Sequence, residues 1–128
     1  RWGDEVLLTF KGPARYDRQV KSRLELETRV EDGARMLGIL AELGWTPQRR
    51  YQKWRETWQL DAVTVALDET PIGCFVELEG PGEALHAAAR TLGLDPAAAI
   101  PASYQELWQR WRQAHPGAPR DMVFPGLE

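Results

Sequence analysis

The chain has 128 residues, 43% hydrophobic and 27% charged, with a net charge of -3 at pH 7; this is the make-up of one globular domain with a core of its own, not of a disordered chain. With 16 basic against 19 acidic residues there is no global attraction to nucleic acid, so any anion binding has to come from local arrangement. A single cysteine, Cys74, excludes an intramolecular disulfide and a four-thiolate zinc site, and His86 and His115 stand too far apart in the sequence to suggest a histidine metal site or a Ser–His triad.

No run approaches the roughly 18 apolar residues of a membrane span, and no signal peptide is visible, so a cytoplasmic protein acting on neither membranes nor nucleic acid is expected. The chain opens RWGDEVLLTF, without an initiator Met and with a strand almost at once, the pattern of a segment cut from a longer sequence.

Residues 5–10 (EVLLTF) predict a short strand, and KGPARYD, with Gly12 and Pro13, predicts a turn. Residues 18–29 alternate as one long strand. Asp32 is the expected N-cap of a helix in which Ala34, Met36, Leu37, Ile39, Leu40 and Leu43 recur at helical spacing, with Gly44 ending it. Residues 48–58 and 62–69 alternate again, TPIG turns the chain, and 74–80 returns, so 62–80 predicts an antiparallel hairpin. Helices are predicted over 82–92 and about 103–114, the latter carrying Tyr104, Leu107, Trp108 and Trp111 on one face. The Pro- and Gly-rich tail, 116–128, is expected to lie extended, with Met122, Val123 and Phe124 docking it onto a body formed by residues 1–115.

The strands carry a second message. In 18–29, Lys21, Arg23, Glu25 and Glu27 share one face, with Val20, Ser22, Leu24 and Leu26 on the other. In 48–58, Arg49, Tyr51, Lys53 and Arg55 share a face opposite Trp54; in the returning strand, Glu77 and Glu79 share one with Phe75. A half-buried sheet with its charged face in water accounts for any one strand. Both signs at i, i+2 spacing on several strands, together with three amphipathic helices needing an apolar partner, point instead to an α+β fold: an antiparallel β-barrel with a polar lumen and helices packed outside. Leu24 and Trp54 would then lie outside beneath helices, and Arg23 and Lys53 inside.

Lys11, Lys21, Arg23, Lys53 and Arg55 would offer such a lumen charge-assisted donors suited to phosphate oxygens. Glu25, Glu27, Glu77, Glu79 and Asp68 would offer hard oxygen ligands, and carboxylates this close repel unless a cation such as Mg²⁺ or Mn²⁺ lies between them. Cations and carboxylates together suggest a metal with a polyphosphate; the alternative is a set of cross-strand salt bridges, each worth little.

LTFKGP, KSRLELET, YQKWR and VALDETPIGCFVELEG, in that order, resemble the CYTH superfamily, which includes class IV adenylyl cyclases, thiamine triphosphatases and inorganic triphosphatases. The resemblance covers residues 7–80 closely and continues through LGL (92–94) and SYQELW (103–108), as in the bacterial cyclase-like branch. It implies a triphosphate tunnel, with Lys11, Lys21, Arg23, Lys53 and Arg55 binding substrate, Lys53 and Arg55 also acting in catalysis, and Glu25, Asp68, Glu77 and Glu79 holding Mg²⁺ or Mn²⁺. The family's N-terminal E-x-E-x-K and L-R-x-R strands have no counterpart here, so the barrel would be incomplete at its N-terminus unless a complementing segment or a second copy in a homodimer supplies them. The implied activity is conversion of ATP to cyclic AMP and pyrophosphate. Hydrolysis of a triphosphate such as thiamine triphosphate or tripolyphosphate, or binding without turnover, stand as alternatives. Cys74 is expected to be a buried small apolar residue and the tryptophans to serve packing.

Overall fold

Pro13 decides how the first third of the chain folds. The computed structural model describes residues 5–17 and 20–127. The opening residues 1–4, residues 18 and 19 at the head of the predicted 18–29 strand, and residue 128 lie outside them. Strand β1 (Val6–Lys11) pairs antiparallel with β4 (Glu25–Val30), Lys11 opposite Glu25 and Thr9 opposite Glu27. The pairing reaches Gly12, whose N–H donates to the Leu24 carbonyl at 2.8 Å, and stops at Pro13, which has no N–H to give.

Beyond it a second hairpin begins. Here β2 (Arg15–Asp17) pairs with β3 (Val20–Ser22), Arg15 opposite Ser22. Counting from Gly12 opposite Leu24 would put Ala14 opposite Ser22, so the register slips by one residue across Pro13, the signature of a bulge. Two expectations change. The 18–29 strand is broken at Arg23–Leu24, and the predicted turn at KGPARYD contains a strand.

Helix α1 (Gly33–Glu42) begins as expected: Asp32 Oδ1 accepts from the Arg35 N–H at 2.9 Å. Gly44, at φ +85, ends it in the left-handed conformation that suits glycine. A Cβ on Gly33 would meet both methyls of Val6 at 3.0 Å, so glycine lets this helix start close against β1.

The remaining elements form a second compact unit, Arg49–Glu128, distinct from Arg1–Gln48. Its sheet has the order β5 (Trp54–Leu60), β6 (Val63–Thr70), β7 (Gly73–Glu79), antiparallel throughout. Residues 49–53, predicted as part of a strand, run irregularly, apart from a bridge between Tyr51 and Met122.

Alternation gives the sheet two different faces. On one, Val63 and Val65 pack under α2 (Gly82–Thr91) against Ala88, with Leu60, Leu78, Ala84 and Leu85 around them; burying each valine contributes roughly 1.5–3 kcal/mol. The other carries Arg55, Ala66, Asp68, Phe75, Glu77 and Glu79, and α3 (Tyr104–Ala114) reaches onto it. A 3₁₀ turn, Pro96–Ala98, lies between the two helices in sequence.

The tail docks as expected: Met122 and Val123 are buried. Gln52 clasps it, its side chain accepting from the Phe124 N–H at 3.0 Å and donating to the Leu127 carbonyl at 2.8 Å. Trp54 does face away from Arg55, but it is 62% exposed and its ring neighbour is Phe124 of the tail, not a helix. Leu24 is likewise exposed. Cys74, expected to be buried, is also exposed, on the sheet face opposite Phe75. Antiparallel sheets with three α-helices make this an α+β fold. Among the described residues no helix is long and apolar enough to cross a membrane.

Gly80 gives a direct test of the second unit's packing. A Cβ there would sit 2.8 Å from the Ala62 carbonyl oxygen, too close without backbone movement, whereas nothing lies within 4 Å of one on Gly82. Gly80→Ala is expected to cost about 1–3 kcal/mol, seen as a lower urea midpoint. Gly82→Ala should leave the midpoint where it is or raise it.

Candidate functional site

Asp68 organises the polar face of the second unit. Its side chain is 0% exposed and sits opposite Arg55 on one neighbouring strand and Phe75 on the other. Arg55 Nε donates to Oδ1 at 2.6 Å and Arg55 Nη2 to Oδ2 at 2.6 Å, the bidentate fork that suits a guanidinium to a carboxylate. Lys53 Nζ donates to Oδ2 at 2.7 Å, and the Tyr104 hydroxyl donates to the same oxygen at 2.6 Å.

Burial alone would push the Asp68 carboxyl up; the hydrogen bonds from Arg55, Lys53 and Tyr104 outweigh it and hold the group well below the usual carboxylate range. Its hydrogen bond to Asp68 raises the Arg55 guanidinium further above its ordinary value, against the opposing effect of burial. Burial first, and then the bond to Asp68, push the Tyr104 phenol up, so it remains a proton donor.

Glu77 lies beside this group. It accepts from Arg55 Nη2 and stands 3.8 Å from Lys53 Nζ, while Glu79 stands 3.6 Å from Arg55 Nη1. Arg55 therefore commits Nε and Nη2 to carboxylates and leaves Nη1, with two N–H donors, in only loose contact with Glu79.

The first unit has a smaller charged group. Glu25 Oε2 accepts from Lys11 Nζ and Oε1 from Arg23 Nε, both at 2.7 Å. These two bonds, Lys11 first, lower the Glu25 carboxyl below its ordinary value. Glu27 accepts from the Thr9 hydroxyl at 2.7 Å. Lys21 lies on the far side of the strand break, its ammonium 5.9 Å from the centre of the Tyr16 ring.

Of the residues singled out in the sequence, the structure thus gathers Lys53, Arg55, Asp68, Glu77 and Glu79 into one constellation and Lys11, Arg23 and Glu25 into another, with Lys21 apart from the latter. Tyr104 joins the first without having been anticipated beyond its place on a helix face. The signal that could have found it is chemical: a buried tyrosine needs a partner for its hydroxyl.

The profile of the CYTH domain family matches residues 1–104. The chain belongs to the CYTH domain family. This chain is 33% identical over 73 residues to a Methanocaldococcus jannaschii protein described as "Putative adenylate cyclase MJ0240"; the match takes in 56% of this chain and spans 41% of that protein's length. A solved structure of a conserved hypothetical protein from Pyrococcus furiosus has the same fold, with a TM-score of 0.67 over 80% of this chain and 67% of that one, at 24% identity. Four of the five residues gathered around Asp68, all but Lys53, lie on strands of the β5–β6–β7 sheet, and all five fall inside the span that the family profile matches.

Proposed function

We propose that this CYTH domain acts on a triphosphate with the help of Mg²⁺ or Mn²⁺, with conversion of ATP to cyclic AMP and pyrophosphate as the specific reaction. The observation that carries the proposal is the shared carboxylate: Lys53 and Arg55 are both held by Asp68, side by side on one sheet face, with Glu77 and Glu79 next to them. Two oriented cations beside two carboxylates match what a metal–polyphosphate complex presents. The name of the archaeal relative supports the cyclase form.

In this reading Lys53 and the Nη1 edge of Arg55 bind phosphate oxygens and neutralise the charge that develops as a P–O bond breaks. For Lys11, Lys21 and Arg23 a phosphate-binding role rests on the resemblance to the family alone. In cyclisation the ribose 3′-oxygen attacks the α-phosphorus, the bond to the β-phosphate oxygen breaks, pyrophosphate leaves and the 3′-hydroxyl proton is released. With water as nucleophile the same groups support triphosphate hydrolysis.

Among the described residues, no three of His, Cys, Asp and Glu gather into a ready-made metal cage. Mg²⁺ is commonly held by one or two carboxylates together with waters and substrate phosphates, an arrangement that Glu77 and Glu79 fit. The bound ion would supply charge neutralisation on the phosphates. Asp68 could ligate it only in exchange for Lys53 and Arg55, and Glu25, in the first unit, could take up a metal only in exchange for Lys11 and Arg23. When Glu77 turns to the ion, the Arg55 N–H it releases becomes available to phosphate, so metal and triphosphate should strengthen each other's binding by the same factor.

The test is calorimetric titration with Mn²⁺, with and without tripolyphosphate, of the wild type and of a Glu77→Gln, Glu79→Gln double variant. The wild type should bind Mn²⁺ more tightly when tripolyphosphate is present, and the double variant should lose that coupling. Identical titrations would show the two glutamates to be structural. Assaying cyclic AMP, pyrophosphate and inorganic phosphate released from ATP then separates cyclase from hydrolase, and binding without any product would leave a binding module.

A further inference from the structure

We infer that Tyr104 is a positioning residue for the cationic pair, setting the geometry in which Lys53 and Arg55 meet a triphosphate. The inference rests on the phosphate-binding role proposed above for those two residues. Three contacts made by one side chain carry it. The hydroxyl donates to Asp68 Oδ2 at 2.6 Å, the same oxygen that accepts from Lys53 and from Arg55 Nη2. The ring lies under the Lys53 ammonium, which is 4.9 Å from its centre. The ring also meets Phe75 edge to face, with centroids 5.3 Å apart. A cation over an aromatic face is attracted to it, and an edge-to-face neighbour limits the tilt of the ring.

The helix is built to hold that ring in place. Ser103 and Glu106 form a reciprocal capping box, Ser103 N–H to Glu106 Oε2 at 2.6 Å and Glu106 N–H to Ser103 Oγ at 3.3 Å, which fixes Tyr104 as the first residue of α3. One turn later and on the same face, Trp108 is buried and donates Nε1–H to the Arg120 carbonyl at 3.1 Å. The helix is thus pinned at Trp108 and presents Tyr104 to Asp68. Removing the hydroxyl would leave Oδ2 with only its two cationic partners, free to draw Lys53 off the ring and tilt the Arg55 fork.

The test uses the full chain carrying Tyr104→Phe, which keeps the ring and loses only the hydroxyl, with Tyr104→Leu as a second variant lacking the ring. Urea midpoints establish that each is folded. For wild type and each variant, calorimetry with tripolyphosphate and Mg²⁺ gives Kd, and NMR gives the exchange rate of the Arg55 Nε–H proton, which the bond to Asp68 protects. In Tyr104→Phe, Kd is expected to rise roughly tenfold, the effect of one hydrogen bond to a charged group, and Arg55 Nε–H exchange to accelerate. Tyr104→Leu should lose more on both measures. A folded Tyr104→Phe with wild-type Kd and wild-type exchange would overturn the inference, and a lower urea midpoint without either change would mean that Tyr104 only packs. If the wild type itself fails to bind tripolyphosphate, the phosphate-binding role falls and the inference with it; an accelerated exchange in Tyr104→Phe would then show only that Tyr104 supports the ion-pair cluster.

Discussion

Asp68→Ala is expected to lower the stability of the chain by about 3–5 kcal/mol, the usual result of removing one partner from a buried ion pair. The exposures of the three side chains set this size. The Asp68 side chain is 0% exposed, Arg55 is 14% and Lys53 is 18% exposed. Without the carboxylate both cations stay largely out of water, with only the partly exposed Glu77 and Glu79 near them, and the Tyr104 hydroxyl loses its acceptor. Urea unfolding should show a lower midpoint with an unchanged slope.

The pH dependence follows from the direction of the shift. The Asp68 carboxyl is held below its ordinary value in the folded chain. Its contribution is therefore fully present above the unfolded value of roughly 3.9 and is lost as pH falls through the lower folded value. The gap between wild type and Asp68→Ala should be constant from neutral pH down to about 5 and begin to close below about 4. A gap that instead closed above pH 5 would mean that another group, not Asp68, sets the difference.

The β6–β7 hairpin was legible because alternation and the TPIG turn, with its Gly73, agree. Helix α1 was legible from Asp32, its periodicity and Gly44. Periodicity supplies which residues of a strand share a face, but not that Lys11 stands opposite Glu25 or Arg55 opposite Asp68, which depends on the register between strands. The strand break at Arg23–Leu24 was not legible, because it is imposed by Pro13 on the partner strand, and alternation within 18–29 carries no trace of it. Lys53 lies outside β5 yet reaches Asp68, because a lysine's length covers the step from irregular chain to sheet. Tyr104 sits at i and Trp108 at i+4, a spacing that reads as one apolar helix face; only the contact with Asp68, 36 positions away in sequence, shows that the tyrosine has a polar task. Cys74 was misplaced because a strand's apolar side is not buried along its full length: α2 covers Val63 and Val65 but leaves Leu67, Val76 and Cys74 exposed.

Arg55→Ala should weaken tripolyphosphate binding in the presence of Mg²⁺ by roughly 10–150-fold, the span that corresponds to about 1.5–3 kcal/mol for a charge-assisted contact. Arg55 is the cation best placed for this because Nε and Nη2 anchor it to Asp68 and Glu77 while Nη1 keeps two donors for an incoming oxygen. Arg55→Lys keeps the charge but cannot hold a fork and present a donor at once, so it should fall between wild type and alanine. Arg35→Ala is the control: Arg35 lies on α1, is 81% exposed, and has its nearest acidic partner, Asp32, 3.7 Å away. Its removal should leave affinity within about twofold of wild type, since an exposed ion pair contributes little. Because Arg55→Ala also leaves Asp68 with one cation fewer, titrations belong at a temperature where circular dichroism shows every variant folded, so that lost affinity is not lost structure. Equal affinities for Arg55→Ala and Arg35→Ala would remove Arg55 from the binding face and leave its bonds to Asp68 and Glu77 as a purely structural network. The ordered series wild type, lysine, alanine, with Arg35→Ala beside wild type, would instead place phosphate recognition on the Nη1 edge of a guanidinium that the fold already holds in place.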